Sequence, residues 1–233
     1  MALKDDLETK VADIFATEWT TRKGQVVPIP DDIKLGNDAV KLDGVVLYAD
    51  LSQSTSLVDN YPAEFAAEIY KSYLHCAAKI IKDQGGVITA YDGDRIMAVF
   101  IGDNKNSAAA KAALKINYAR LKIINPAIKT QYPNSTYTVR HTIGIDSCEL
   151  FVARTGIRGS NDLVWVGKAA NHAAKLTELP NDFPSYITEE VYDMLHLSSK
   201  YANGKLDGTN MWKKATWTTT NRTIYRSTYY WPV

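Results

Sequence analysis

Apolar and polar positions follow helical spacing in some parts of the chain and strand-like runs in others. The first two dozen residues have apolar side chains at helical spacing, which predicts an amphipathic helix ending near Gly24. These positions are Leu3, Leu7, Val11, Ile14 and Phe15. The apolar run from Gly44 to Ala49, closed by Asp50 and a polar turn, predicts a buried strand.

The next segment predicts a long helix followed by a β-hairpin. Apolar residues form one stripe from Pro62 to Lys82, as expected for a helix that packs on a sheet. Apolar runs at 87–91 and 95–100 flank Asp92 and Gly93, a dipeptide that favours a tight turn. A two-residue loop at that dipeptide predicts that Asp94 lies opposite Tyr91 and that Arg95 pairs with Ala90.

Helices and strands also alternate in the remaining half. Residues 107–124 predict a helix, and 137–145 and 149–154 predict two strands that can pair. Residues 163–166 predict a short strand that leads into an alanine-rich helix from Lys168 to Glu178, and mixed, β-rich sequence follows. This order around an antiparallel hairpin predicts an α+β fold. We expect residues 1–40 to form an N-terminal helix and loop, and 41–233 to form one domain that includes the C-terminal β region.

Composition narrows the function classes. The chain has 233 residues, of which 45% are hydrophobic, and its 27 basic and 26 acidic residues leave a net charge of +1. That balance gives no electrostatic footprint for nucleic acid or for an anionic membrane, so it favours small-molecule substrates. The two cysteines, Cys76 and Cys148, indicate neither a disulfide framework nor a zinc cluster. We expect a cytoplasmic protein with no membrane-spanning segment.

Two aspartates in strand settings are the candidate metal ligands. Asp50 ends the first buried run and Asp94 follows the hairpin turn. Mg²⁺ and similar ions usually take one or two carboxylates and fill the rest of their shell with water and substrate phosphates. Considered separately, Asp50 can instead cap the next helix and Asp94 can be an ordinary turn residue.

The β-α-α-β-β order, with one aspartate at the end of the first strand and another beside the hairpin turn, resembles the class III nucleotidyl cyclases over about residues 40–200. The resemblance implies a ferredoxin-like core with an antiparallel-rich sheet, and two divalent ions, Mn²⁺ or Mg²⁺, held by Asp50 and Asp94. Two such ions about 3.5–4 Å apart can stabilise the attacking and leaving oxygens of an in-line transfer. The products are then a 3′,5′-cyclic nucleotide and pyrophosphate.

A third family segment is similar to residues 171–175. By resemblance, Asn171 orients the ribose, and Lys175 neutralises phosphate charge where the family has an arginine. Lysine supplies a point charge rather than a bidentate fork, so this is a real departure from the family pattern. Lys168 lies near the same stripe and can share the role, and Lys213 or Lys214 can reach the triphosphate.

The base-reading residues of the purine cyclases are missing. Adenine-reading members have a lysine where this chain has Ala90 and an aspartate where it has Val164. Loss of such polar partners costs about 10⁴-fold in discrimination. Arg95 shares a face with Ala90 in the expected hairpin, and Tyr48 shares a face with Asp50. Together they predict a short pocket with fixed donors that suits a one-ring base.

This combination is similar to the bacterial pyrimidine cyclases of the anti-phage Pycsar systems, which use UTP or CTP. An arginine, which only donates, suits the O4 acceptor of uracil, so we favour UTP over CTP. The resemblance implies a homodimer with shared active sites, the metal aspartates coming from one chain and the Asn171 helix from the other. It also implies a separate effector protein that senses the product.

Other functions fit parts of the pattern. An adenylate or guanylate cyclase with an unusual pocket is the nearest alternative to a pyrimidine cyclase, and a cyclase-like binding module that has lost catalysis is another. Within the pyrimidine cyclases, a cytidylate cyclase is the alternative. A polymerase-like palm also carries two metal aspartates, but the near-neutral charge disfavours it. No nucleotide-binding glycine motif is present, and the four histidines lack metal-ligand spacing.

Overall fold

A computed structural model describes residues 2–233. The helices are α1 (Leu3–Ala16), α2 (Ser54–Asn60), α3 (Ala63–Asp83), α4 (Lys105–Ala119), α5 (Asn125–Gln131), α6 (Lys168–Leu176), α7 (Glu189–Asp193) and α8 (Leu197–Lys200). The strands are β1 (Thr20–Lys23), β2 (Asp38–Leu51), β3 (Val87–Asp92), β4 (Arg95–Phe100), β5 (His141–Ile157), β6 (Ser160–Val166), β7 (Ser185–Thr188), β8 (Lys213–Trp217) and β9 (Arg222–Ser227). A π-helical segment, Arg120–Ile124, joins α4 to α5.

The chain divides into two compact units. The smaller consists of residues 2–43 and Glu149–Gly167, and the larger of Gly44–Cys148 and Lys168–Val233. The domain boundary that we expect near residue 40 stays a prediction. The smaller unit also includes a segment from the middle of the chain.

A mixed sheet forms the centre of the larger unit. Its strand order is β3-β4-β2-β5-β7-β9-β8. Most neighbours in this order are antiparallel, whereas β5 and β7 run parallel. The run from Gly44 to Ala49 is almost wholly buried because a strand in the interior of the sheet has helices or neighbouring strands on all sides. Helices and an antiparallel-rich sheet in one unit confirm the α+β prediction.

The helices of this unit bury the stripes that the sequence predicts. Phe65, Ile69, Tyr73, Ala77 and Ile80 of α3 are all buried in the main core. Half of the side chains that α4 buries are alanines, which lets the helix pack closely on its neighbours. None of the helices among residues 2–233 is both long and apolar enough to cross a membrane.

In the smaller unit, the N-terminal helix is shorter than the spacing predicts. Helix α1 ends at Ala16 rather than near Gly24, and Thr20–Lys23 instead forms β1, which pairs in parallel with the first residues of β2. Backbone pairing with a distant segment therefore overrides the local helical period. No described residue of α1 is buried, so its apolar stripe is exposed.

The two strands expected at 137–145 and 149–154 do not pair with each other. Residues 141–145 and 149–154 are parts of one strand, β5, whose later residues pair with β6 in the smaller unit, and residues 137–140 precede it. Asp146 and Ser147, which favour turns, separate the two runs, but Asp146 is buried and hydrogen-bonded to Thr188 of β7, so the strand continues through them.

The β3–β4 hairpin forms as predicted, but its loop is one residue later. Asp92 pairs with Arg95, so the two loop residues are Gly93 and Asp94. Gly93 has φ of 60°, the positive value that a type II′ turn requires at its first loop position. The expected pairs of Arg95 with Ala90 and of Asp94 with Tyr91 are therefore wrong: Ala90 pairs with Met97, and Tyr91 with Ile96.

Candidate active site

Four of the candidate residues lie on one face of the sheet in the larger unit. In the β2–β4 ladder, Asp50 is opposite Arg95, and Tyr48 is opposite Met97. Met97 is also opposite Ala90 of β3. Directly opposed residues in an antiparallel pair point to the same side, and residues two apart in one strand do so too. Tyr48, Asp50, Arg95 and Ala90 therefore share a face although the loop register differs from the prediction.

The carboxyl groups of Asp50 and Asp94 are close enough to influence each other. Burial and the charge of Asp94 raise the pKa of Asp50 to about 6, although Arg95 opposes the rise. The Oδ2 atom of Asp94 is buried and has no hydrogen-bond partner among residues 2–233. Asp50 does not cap the following helix, because the N-cap of α2 is Gln53. The two aspartates therefore form a partly buried pair of like charges.

This pair fits a divalent cation. Asp94 has a buried carboxylate oxygen without a hydrogen-bond partner, and the neighbouring Asp50 carboxyl resists ionisation. A bound cation would offset the energetic cost of each. Residues 2–233 contain no group of three or more histidine, cysteine or acidic side chains that could hold a metal. A two-carboxylate site suits an ion that completes its shell with water and phosphate oxygens, as Mg²⁺ and Mn²⁺ do.

Arg95 and Tyr48 form the adjoining part of the face. The Arg95 guanidinium donates to Asp92 at 3.0 Å, and its Cζ lies 5.3 Å from the centre of the Tyr48 ring. The Arg95 side chain keeps 30% of its surface exposed, so part of the fork stays accessible. Burial raises the pKa of Tyr48, so its hydroxyl stays protonated at neutral pH. Tyr48 thus offers an aromatic face, and the N–H donors of Arg95 beside it are held in place by the ion pair with Asp92.

Among the described residues, the candidate side chains of α6 form no hydrogen bond or ion pair with the aspartate pair, Arg95 or Tyr48. Asn171 and Lys175 are exposed, and neither side chain has a hydrogen bond or ion pair within the part of the chain that the structure describes. Lys168 is not free in this way, because its Nζ lies 3.3 Å from Glu190 Oε1. Lys214 lies 3.7 Å from Glu189.

Two further residues near the carboxyl pair escaped the sequence analysis. The side chain of Thr177, directly after α6, lies beside Asp50 and lowers its pKa, and its hydroxyl donates to the Ala174 carbonyl oxygen at 2.6 Å. The hydroxyl of Tyr70 on α3 feels the charge of Asp94, which contributes to the raised pKa of that phenol. The sequence contains one signal for Thr177, which is its position just beyond the Asn171 stripe. It contains none for Tyr70.

A choice of site by cavity volume would not select the two aspartates. A cavity of about 610 Å³ lies between α3 and α5 and is lined mainly by apolar side chains, without either metal aspartate. A polar cavity of about 400 Å³ borders the end of β2 and the segment after α6, and its lining includes Ser52, Gln53 and Thr177. We place the candidate site at the two aspartates, because a carboxyl group with a perturbed pKa, such as that of Asp50, marks a candidate functional site.

Comparisons with known proteins identify relatives of this chain. No family model matches the chain. It is 54% identical over 235 residues to a uridylate cyclase from Xanthomonas perforans and 48% identical over 235 residues to one from Burkholderia cepacia, with 100% of each chain covered in both cases. It is 38% identical to a third, from Rhodovulum sp., over 99% of this chain and 98% of that one.

Solved structures of cyclases share the fold. The adenylyl cyclase CyaB from P. aeruginosa superposes with a TM-score of 0.67 at 19% identity, over 80% of this chain and 93% of that one. A guanylate cyclase domain from Catenaria anguillulae, solved with GTP, superposes with a TM-score of 0.63 at 14% identity, over 81% and 98%. The class III cyclase-like fold that the sequence predicts is confirmed. The chain belongs to the uridylate cyclase family, and it is a nucleotidyl cyclase.

Proposed function

We propose that this cyclase converts UTP to 3′,5′-cyclic UMP and pyrophosphate, with Asp50 and Asp94 holding two divalent ions, Mn²⁺ or Mg²⁺. The observation that supports it most is the shared face of Asp50, Arg95 and Tyr48 beside the orphaned Asp94 carboxylate. The names of the full-length relatives support uracil as the base.

The reaction closes a ring within one nucleotide. The ribose 3′ oxygen attacks the α-phosphorus, the bond from that phosphorus to the β-phosphate oxygen breaks, and the hydroxyl proton passes to solvent. Two bound divalent ions would lower the pKa of the attacking hydroxyl and stabilise charge on the leaving pyrophosphate. The protein's part is to hold the triphosphate and ribose in line, which can supply a large share of the rate.

Base recognition rests on Tyr48 and Arg95. The Tyr48 ring stacks on the base, and the Arg95 fork donates to the O4 acceptor of uracil. The amino group of cytosine at that position donates instead and would face the donors of Arg95. Ala90 leaves room on the same face where adenine-reading cyclases have a lysine. A pyrimidine therefore fits the site better than a purine, and uracil better than cytosine.

The remaining roles belong to α6. Asn171 orients the ribose, and Lys175 neutralises charge that develops on the phosphates, whereas Lys168 is held by its ion pair with Glu190. In a homodimer, α6 of one chain completes the site formed by the aspartates of the other, and two equivalent sites result. The exposed, unpartnered state of Asn171 and Lys175 supports this arrangement.

The proposal is tested by incubating purified protein with ATP, GTP, CTP and UTP in separate reactions containing Mn²⁺. Products are identified by mass spectrometry, with Asp50→Asn and Asp94→Asn as the site variants and Asp59→Asn, an exposed carboxylate on α2, as the matched control. We expect cyclic UMP from the unmutated protein and from the Asp59 variant only. Equal activity in the Asp50 variant would refute the metal site, and a cyclic purine as the main product would refute the pocket.

We also propose that cyclic UMP acts in the cytoplasm as an anti-phage second messenger for a separate effector protein, as in the Pycsar systems. The test compares cyclic UMP in cells that express the wild type or the Asp50→Asn variant, before and after phage infection. A rise after infection in wild-type cells alone is expected. A constant level, with no effect of the variant on phage growth, would contradict the role.

A further inference from the structure

Two polar contacts hold α6, one from its first turn to α7 and one from its middle to β5. Lys168 Nζ lies 3.3 Å from Glu190 Oε1, and His172 Nδ1 lies 2.8 Å from Asp146 Oδ2. Residues four apart on a helix are about 40° apart around its axis, so Lys168 and His172 form one stripe. We call it the anchored stripe.

Asn171 and Lys175 form the adjacent stripe of the same helix. They are also four residues apart, and each follows a member of the anchored stripe by three residues, so the two stripes are about 60° apart around the helix axis. Neither has a polar partner among residues 2–233. Two of the four polar side chains of α6 are therefore held, and the other two are left free for substrate.

Asp146 is the firmest point of the anchor. Its side chain is fully buried, and its Oδ1 accepts from the Thr188 hydroxyl at 2.6 Å and from the Ser147 backbone N–H at 2.8 Å. Its Oδ2 is left to His172. A buried carboxylate is stable only with its oxygens satisfied, so its direction is fixed by β5 and β7. The position of the His172 ring is then fixed by the sheet.

Packing around His172 limits its movement further. The His172 ring meets the Trp217 ring edge-on, with centroids 5.5 Å apart. The next residue on the helix, Ala173, lies directly against β5: a Cβ on Gly144 would stand 2.1 Å from the Ala173 carbonyl oxygen. Arg222 pairs with Glu190 and comes within 3.4 Å of His172 Nδ1. Helix α6 thus has little freedom to rotate on the sheet.

We propose that Asp146 and His172 are positioning residues for the reaction: they fix the rotation of α6 and so direct Asn171 and Lys175 at the ribose and phosphates. The proposal rests on the function proposed above. Neither residue touches the substrate. Loss of the link lets the free stripe turn away, and a misplacement of about 1 Å can cost about 10²-fold in rate.

The first test is steady-state kinetics of the full-length protein with UTP and Mn²⁺. His172→Leu should lower kcat by about 10- to 100-fold and leave KM within about threefold, because the binding contacts at the base remain. His172→Asn places an amide donor near the position of Nδ1 and should recover most of the loss. His75→Leu, at an exposed histidine on α3, is the matched control and should behave as wild type.

A double variant separates the lost link from a destabilised fold. Asp146→Asn with His172→Leu removes the buried charge as well as the histidine, so folding should be kept while the link stays broken. We expect kcat as low as in His172→Leu, with a Tm close to that of wild type. Full recovery of kcat in the double variant would overturn the proposal, because the unpaired charge alone would then explain the defect.

The second test does not depend on turnover. Hydrogen exchange of the α6 backbone amides, measured without nucleotide, should be at least tenfold faster in His172→Leu than in His75→Leu, with exchange in α3 unchanged. Unchanged α6 exchange would overturn the proposal even if kcat falls. If the wild type forms no cyclic nucleotide at all, the function proposed above fails, while the exchange comparison still decides whether these residues anchor the helix.

Discussion

Replacing Asp50 with asparagine should stabilise the metal-free protein while abolishing its activity. Burial and the neighbouring Asp94 raise the pKa of Asp50 from an ordinary 3.8 to about 6. The fold therefore holds the carboxyl proton more tightly than the unfolded chain does. Between about pH 3.8 and pH 6 the wild type loses stability as the pH rises, and above pH 6 the full penalty is present. Asparagine has the same shape without the charge and escapes this penalty.

The size of the effect follows from the pKa. One pKa unit corresponds to about 1.4 kcal/mol, so the rise from 3.8 to about 6 would be worth about 3 kcal/mol if fully expressed. Asp50 is only partly buried, so solvent screening reduces this to about 1 kcal/mol. We expect Asp50→Asn to be about 1 kcal/mol more stable than wild type at pH 8, and equal to it near pH 3.5.

Urea unfolding in EDTA at several pH values measures this directly. Asp59→Asn is the matched control, because it removes an exposed carboxylate and should change stability by less than about 0.5 kcal/mol. Adding Mn²⁺ should stabilise the wild type but not the Asp50 variant. A variant that is equally or less stable than wild type at pH 8, with no dependence on pH, would refute the reasoning about the carboxyl pair.

Three other predictions concern the proposed substrate site. Tyr48→Ala should raise KM for UTP by about tenfold while Tyr48→Phe should not, because stacking on an aromatic ring is worth about 1–3 kcal/mol; steady-state kinetics would contradict this if both variants behaved alike. Lys175→Ala should lower kcat by about 10²-fold and Lys175→Arg by much less, because arginine keeps the charge; equal losses would argue against a charge role. Mixing inactive Asp50→Asn and Asn171→Ala proteins should restore about a quarter of wild-type activity, since half the dimers would contain one intact site; no recovery would contradict sites shared between chains.

Much of the larger unit could be predicted because its signals are local. The buried run that ends at Asp50, the stripe of α3 and the turn residue Gly93 each act within a few residues. The hairpin loop was misplaced by one residue because the Asp-Gly pair suggests a turn with both residues in the loop. Asp92 stays in the strand, where its carboxylate pairs with Arg95.

The features that escaped prediction depend on distant partners. The N-terminal helix ends early because Thr20–Lys23 pairs with a later strand, and the period of the apolar residues contains no sign of that. The ion pair of Lys168 with Glu190 escaped prediction because the two residues lie 22 positions apart in the chain. His172 shows no metal-ligand spacing in the sequence, and its contact with the buried Asp146 joins residues 26 positions apart. Sequence spacing places a side chain on a face but does not identify what lies opposite.

The central claim, that this chain is a uridylate cyclase with a metal site at Asp50 and Asp94, is tested most directly by competition. Equimolar ATP, GTP, CTP and UTP in one reaction with Mn²⁺ compete for the same site, so the ratios of the cyclic products equal the ratios of kcat/KM. We predict that cyclic UMP exceeds each of the other cyclic products by at least about 10²-fold, and that Asp94→Asn yields none of them. A product mixture without preference for UTP, or one that survives the loss of Asp94, would contradict the account.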